Sequence, residues 1–253
     1  MEVDILEFQV PLENNKTLFV WDIQPSYTEA HIYDRLHRVF SSFGPLYLLK
    51  VCPNAPLSPP GFYALIKFYS AAQASKAQRR TDGRLLFQDS PLKVRLSSKQ
   101  MPQFLSNGSR PLSHARCVDL ANHCLGFNGW TSDIITVRNH LRLTPQLKEF
   151  GCLLQLSFPH HGQTTRASAV VEERFTCTGP EVFLQRRCKL HRLVRERALV
   201  QAFSAVLLIL LGDGKVMVEV KRTSDQLLPE DTEGVLQVSC SPDDEEEWDL
   251  TVS

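Results

Sequence analysis

The sequence predicts an α+β protein built as two domains. Three observations carry this expectation. Residues 1–98 show apolar periods in the order strand, helix, strand, strand, helix, strand. Residues 99–112 are rich in Ser, Gln, Asn and Pro with few apolar side chains, the composition of a linker. Residues 113–240 then return to a helix, antiparallel strands, a long helix and a hairpin. A last segment, 241–253, contains the almost wholly acidic run Asp243–Asp249 and is expected to stay solvated.

In the first domain, Leu18–Ile23 (L-F-V-W-D-I) is the first strand. Thr28–Phe43 follows as a helix, with Ile32, Leu36, Val39, Phe40 and Phe43 on one stripe. Thr28 or Ser26 caps its start and Gly44 ends it. Leu46–Val51 is the second strand, Cys52–Pro60 a proline-rich loop, and Gly61–Phe68 (G-F-Y-A-L-I-K-F) the third strand. Ser70–Arg80 is an alanine-rich helix closed by Asp82-Gly83, and Leu92–Leu96 is the last strand.

This order resembles the RNA recognition motif, a ferredoxin-like βαββαβ domain. Leu18–Ile23 is similar to that family's six-residue motif and Gly61–Phe68 to its eight-residue motif. Strand alternation assigns the faces. Phe62, Ala64, Ile66 and Phe68 are expected to point to the helices, with Leu18, Val20 and Asp22 on that side of the first strand. Phe19, Trp21, Tyr63, Leu65 and Lys67 then occupy the open face, joined by Lys50, Lys93 and Arg95. Gly61 and Leu65 depart from the family pattern, which is usually basic at the first position of the eight-residue motif and aromatic at its fifth. Two of three stacking positions remain, Phe19 and Tyr63, with Trp21 as an added ring. Rings at the centre and cations toward the edges suit a single strand, whose bases stack while its phosphates meet the cations. A second reading stays open, in which the same face binds a protein.

The second domain opens on Ser113–Leu125, a helix with Val118, Ala121, Leu125 and Cys124 spaced along one face. Gly126-Phe127-Asn128-Gly129 breaks it, and Phe127 and Trp130 are expected to anchor the turn in a core. Ile134–Val137 starts a strand; Cys152–Phe158 and Ala167–Glu172 are two strands joined by the polar turn Pro159–Thr164. A helix over Val182–Phe203 is followed by a hairpin, Val206–Leu211 and Val216–Val220, around Gly212-Asp213-Gly214. Val235–Cys240 adds a strand. Within the long helix, Arg186, Arg187, Lys189, Arg192, Arg195 and Arg197 are opposed by Glu196 alone and cannot all face a core. They form a surface for phosphates, or a solvated face, or one paired with the acidic tail.

Bulk properties exclude several classes. Formal net charge is zero, so any affinity for nucleic acid must come from local patches. The seven cysteines (Cys52, Cys117, Cys124, Cys152, Cys177, Cys188, Cys240) contain no Cys-x-x-Cys pair and make no ladder with histidine. His160-His161 and His123-Cys124 lack further ligands at workable spacing and read as exposed loop histidines. Met1-Glu2-Val3-Asp4 has no signal-peptide pattern, and a reducing compartment is expected. The apolar run Ala198–Leu211 is too short for a membrane span and reads as a buried helix running into a strand. No paired carboxylates, nucleophile with base, phosphate-binding glycine loop or metal cluster stands at usable spacing. No enzymatic activity, catalytic residue, cofactor, metal, small-molecule substrate or membrane partner is expected.

The segment Val118–Trp130 (V-D-L-A-N-H-C-L-G-F-N-G-W) resembles the signature helix and turn of the Rad-fifty-two family of recombination mediators, through Leu120, Ala121, Asn122, Gly126, Asn128, Gly129 and Trp130. Arg116 matches an arginine of that family and is carried over as a nucleic-acid contact. The family's later basic positions fall on Ser204, Ala205 and Leu208, so its inner DNA groove and its annealing activity do not carry over. As a whole the chain resembles a vertebrate family that joins a recognition-motif domain to a partial Rad-fifty-two motif. The resemblance implies a nuclear and cytoplasmic protein that binds single-stranded DNA and RNA in the DNA damage response or recombination. It also implies a homo-oligomer and recombination or repair proteins as partners.

Overall fold

The computed structural model describes residues 3–97, 110–141, 147–174, 180–212 and 214–221. The expected strand Val235–Cys240, the acidic tail and most of the 99–112 segment lie outside the described residues. The described chain falls into two compact units. One takes in the residues up to Trp130 with Phe158–Gln163 and Val206–Lys221; the other takes in Thr131–Ser157 and Thr164–Ala205.

The first unit contains the expected βαββαβ domain. Its elements are β2 (Thr17–Ile23), α1 (Glu29–Ser41), β3 (Leu46–Pro53), β4 (Phe62–Phe68), α2 (Ala71–Thr81) and β5 (Lys93–Leu96), preceded by β1 (Val3–Glu7). The sheet order is β3-β4-β2-β5, antiparallel throughout. Sequence chemistry fixes the helix ends. Thr28 Oγ1 accepts from the His31 amide at 3.3 Å, Ser70 Oγ accepts from Gln73, also at 3.3 Å, and the Asp82 amide caps α2 by donating to Gln78. Leu18, Val20, Ala64, Ile66 and Phe68 are fully buried against Ile32, Leu36, Phe40, Ala74 and Ala77. One face of the sheet is thereby committed to the core, and alternation leaves the other open.

Asp22 departs from the expected alternation. The pairing of β2 with β4 shifts between Val20 and Ile23, Asp22 takes a φ of +61°, and Ile23 is the buried residue in its place. An unpaired extra residue reverses the phase of the strand, so Asp22 is exposed rather than turned to the helices.

The rest of the unit holds α3 (His114–Leu125), β9 (Val206–Leu211) and β10 (Val216–Val220). The N-terminal strand β1 pairs with β9, and β9 with β10, in a three-stranded antiparallel sheet. β1 was not read from the sequence, because V-D-I-L-E is short and its partner lies some 200 positions away (Val3 opposite Leu211). Ser113 caps α3 and Gly126, at φ +77°, ends it. The buried face of α3 is Cys117, Leu120 and Ala121; of the expected stripe Ala121 is fully buried, and Val118, Cys124 and Leu125 are half-buried.

The turn after α3 corrects a second expectation. Trp130 is half-buried and donates its indole N–H to Asn122 Oδ1 at 2.9 Å, whereas Phe127 is 84% exposed. Only one of the two aromatics anchors the turn. Gly129 is held by space: a Cβ there would collide with the Leu125 carbonyl oxygen.

The second unit is a sheet of order β6-β7-β8, formed by β6 (Thr131–Leu141), β7 (Leu147–Phe158) and β8 (Gln163–Arg174), together with α4 (Pro180–Ser204). Phe150, Cys152, Leu154 and Leu156 alternate inward on β7, and Leu190, Val194, Ala198 and Leu199 are buried on α4. Phe150 meets the His191 ring edge-on at 4.9 Å. The strands are longer than expected because polar residues interrupt the apolar pattern on both faces, with Thr136 and Thr165 buried and Arg166 and Ser168 exposed. The run Ala198–Leu211 is the end of α4 followed by β9, and no helix among the described residues is long and apolar enough to cross a membrane.

Gly129→Ala should lower unfolding free energy by about 1–3 kcal/mol, the range for forcing atoms into a filled site. Gly162→Ala, where nothing lies within 4 Å and φ is +62°, should cost only the left-handed penalty of roughly 1 kcal/mol. Urea unfolding of both variants checks this; equal losses would contradict the steric role of Gly129.

Candidate nucleic-acid interface

The cross-strand register builds the open face in rows. One row runs across all four strands: Lys50 on β3, Leu65 on β4, Phe19 on β2 and Arg95 on β5. The next holds Cys52 opposite Tyr63 on one side and Trp21 opposite Lys93 on the other. A third places Leu48, Lys67 and Thr17 together. Neighbouring strands lie about 4.8 Å apart, so a full row spans roughly 14 Å. Phe19 sits 5.5 Å from Trp21 in a stacked arrangement and 5.5 Å from Tyr63 in a tilted one. These three rings form one continuous half-exposed patch, because positions i and i+2 of β2 share a face and Tyr63 lies across from them.

Cations frame the rings. Arg95 places its guanidinium carbon 5.6 Å from the centre of the Trp21 ring. Lys93 pairs with Asp22 at 2.8 Å. Both partners are well exposed, so the pair adds at most about 1 kcal/mol to stability, but it offsets the Lys93 charge locally. Burial lowers the Lys67 pKa and the Glu13 carboxylate opposes that shift. A hydrogen bond with the Cys52 side chain raises the Tyr63 pKa.

The structure thus gathers Phe19, Trp21, Lys50, Tyr63, Leu65, Lys67, Lys93 and Arg95 on one surface. The other residues expected to bind nucleic acid lie elsewhere. Arg116, on α3, places its guanidinium 5.5 Å from the centre of the Tyr47 ring, beside the buried Tyr69. No described contact joins it to the three rings. Burial raises the Tyr69 pKa, and the Arg116 charge opposes the rise. Arg186, Arg187, Lys189 and Arg192 belong to the second unit. There Arg186 lies 4.0 Å from Glu173, Arg187 bonds His191 at 3.4 Å, and Arg192 pairs with Glu196 at 2.8 Å, while Lys189 is exposed. Among the described residues no cluster of His, Cys, Asp or Glu could hold a metal.

Asp22 and Cys52 complete the face and were not picked out from the sequence. For Asp22 the signal was present: apolar Ile23 directly after Asp22 breaks the Leu18, Val20 alternation and marks a bulge. Cys52 stands two residues after Lys50 and so shares its face, but the strand expected over Leu46–Val51 stops one residue short of it.

Comparison with known proteins places the chain. Residues 112–207 match a family model described as the RDM1 DSRM domain. The RAD52 motif-containing protein 1 of Danio rerio is 49% identical over 275 residues, covering 99% of this chain and 98% of the relative. The chain belongs to the RAD52 motif-containing protein 1 family. Relatives of the same name from Gallus gallus and Homo sapiens are 39% and 35% identical, each over 94% of this chain and 89% of its own length. The segment matched by the family model runs from Leu112, just ahead of α3, into β9, so the three rings lie outside it. Among solved structures, the third RNA recognition motif domain of Mip6 covers 35% of this chain and all of its own, at 20% identity and a TM-score of 0.28. The Sxl-lethal protein in complex with RNA covers 33% of this chain at 19% identity and a TM-score of 0.28.

The placement of the thiols predicts their reactivity. Burial pushes Cys117 and Cys124 up to about 12, whereas Cys188 is exposed and Cys52 half-exposed on the ring face. At pH 8, alkylation of a variant with Cys177 and Cys240 replaced by serine should label Cys188 and Cys52 well ahead of Cys117 and Cys124. Labelling of Cys117 before Cys52, read by mass spectrometry, would contradict this arrangement of the face.

Proposed function

We propose that the protein binds single-stranded DNA or RNA on the open face of the β3-β4-β2-β5 sheet and acts in the DNA damage response or recombination. The observation that carries this reading is the ring patch of Phe19, Trp21 and Tyr63 with Lys50 and Arg95 at opposite ends of one row. Bases stack on the rings, each contact contributing about 1–3 kcal/mol, and the phosphates meet the cations at the margins. No catalytic step is involved. The basic face of α4 offers a second surface for phosphate, and Arg116, just ahead of the Rad-fifty-two-like segment, a further contact. The reading takes the protein to work in the nucleus and cytoplasm, with recombination or repair proteins as partners and with self-association.

Only local charge drives association, because the formal net charge is zero. With three or four cations engaged, log affinity for a single strand should fall against log salt with a slope of about −2 to −3. A competing reading makes the sheet face a protein-docking surface, and its affinity would respond weakly to salt.

Phe19→Ala with Tyr63→Ala should weaken single-strand binding by roughly 2–4 kcal/mol, allowing for some non-additivity between neighbours. Fluorescence anisotropy over a salt series, with single-stranded DNA, RNA and duplex as probes, measures both quantities. A double variant that remains folded and binds like the parent would remove the stacking platform; a flat salt slope would favour the docking surface.

A further inference from the structure

Asp22 is a carboxylate on a surface otherwise suited to phosphate, and neither the core nor the stacking rings account for it. Its backbone is set deliberately. The φ of +61° is the only positive value at a non-glycine residue among the described positions, and Asp is one of the few side chains that tolerate it. The buried Gln88 clamps the bulge: its amide nitrogen donates to the Asp22 carbonyl at 2.8 Å and to Ser90 Oγ at 2.7 Å, while its Oε1 accepts from the Gln24 amide at 3.0 Å. A side chain far along the sequence therefore fixes both sides of the irregularity. The consequence is that the carboxylate turns to the open face, where Oδ2 meets Lys93 at 2.8 Å. Lys93 is the cross-strand partner of Trp21, so the carboxylate lies at the margin of that ring.

A carboxylate there repels phosphate and offsets the Lys93 charge, which works against a purely electrostatic surface. It is suited instead to the edge of a base. Each carboxylate oxygen has two lone pairs, so the ion pair with Lys93 leaves acceptor capacity on both oxygens. Among the bases, guanine alone offers two adjacent N–H donors, at N1 and at the exocyclic N2, spaced for the two oxygens. Adenine and cytosine set an acceptor beside their amine, and thymine and uracil flank their single imino N–H with carbonyls that a carboxylate disfavours. Charge-assisted pairs of this bidentate kind are the strong, direction-specific ones, and exposed bases on single strands are read along this edge.

We propose that Asp22 is a base-reading residue that selects guanine for the position stacked on Trp21. This rests on the sheet face being a single-strand platform and adds sequence preference to it. Lys93 is then a positioning residue, which holds the carboxylate toward the ring and lessens the cost of bringing it near the phosphates.

The test uses the full chain and short thymidine oligonucleotides with one central dG, dA, dC or deoxyinosine, titrated at fixed salt. The parent should bind the dG strand roughly tenfold more tightly than all-thymidine, in line with a good bidentate base contact. Deoxyinosine, which lacks the N2 amine, should fall between them. Asp22→Asn keeps a side chain that tolerates positive φ and exchanges one acceptor for a donor, so it should lose the dG preference and move it toward dA. Asp22→Gly, which favours the same backbone, should flatten the preference without a new one and covers the case in which the Asn variant fails to fold. If the parent binds all strands equally, or if both variants keep the dG preference, the base-reading role is overturned while the platform stands. If the parent binds none of the strands, the platform falls and this inference with it.

Discussion

The antiparallel pairing of β2 with β4 is the constraint on which the rest of the open sheet face depends. It sets Phe19 opposite Leu65 and Leu18 opposite Ile66. Because side chains alternate, the register that buries Leu18, Val20, Ala64 and Ile66 against the two helices must also present Phe19 and Leu65 outward. A slip of one residue would exchange the two sets, placing Lys67 in the core and exposing Ile66. The hydrophobic burial that holds the domain together therefore also positions the rings. β3 and β5 extend the same logic to either side and deliver Lys50 and Arg95 to the ends of the Phe19 row. The bulge at Asp22 is the one interruption, and the Gln88 hydrogen bonds confine it to the end of β2.

The Rad-fifty-two-like segment Val118–Trp130 plays a different part. Its glycines and Trp130 shape the exit from α3: Gly126 supplies a positive φ, Gly129 leaves room for the Leu125 carbonyl, and the indole of Trp130 is tied to Asn122. Arg116, near the start of the same helix, lies over the Tyr47 ring of the sheet domain. These contacts explain the motif as a way of building a helix and turn. The sequence resemblance locates the chain in its family, and the ring face lies outside the segment that the family model matches.

Legibility in the sequence followed the range of the forces involved. The βαββαβ order, the capping residues and the two faces of β4 depend on residues within a turn or two of each other, and each could be read directly. The partnership of β1 with β9 could not, since Val3 and Leu211 meet only in the folded chain. Plain alternation puts Asp22 on the helix side, whereas the apolar Ile23 directly after it marks the change of phase that the bulge produces. Phe127 was expected in a core on size alone; whether a large ring is covered depends on the surface it meets, which no local pattern states. The basic block of α4 is legible as charge, and the i,i+4 spacing of Arg187 and His191 as a contact, but the approach of Arg186 to Glu173 depends on the position of β8.

The central claim is that the bases of a bound single strand stack on the Phe19, Trp21 and Tyr63 rings rather than on the aromatics of the Rad-fifty-two-like turn. Aromatic NMR shifts recorded during titration with a single-stranded oligonucleotide test it most directly. The account predicts upfield movement of the Phe19, Trp21 and Tyr63 ring signals, with those of Phe127 and Trp130 unmoved. Shifts confined to Phe127, Trp130 and the arginines of α4, with the three sheet rings silent, would contradict it.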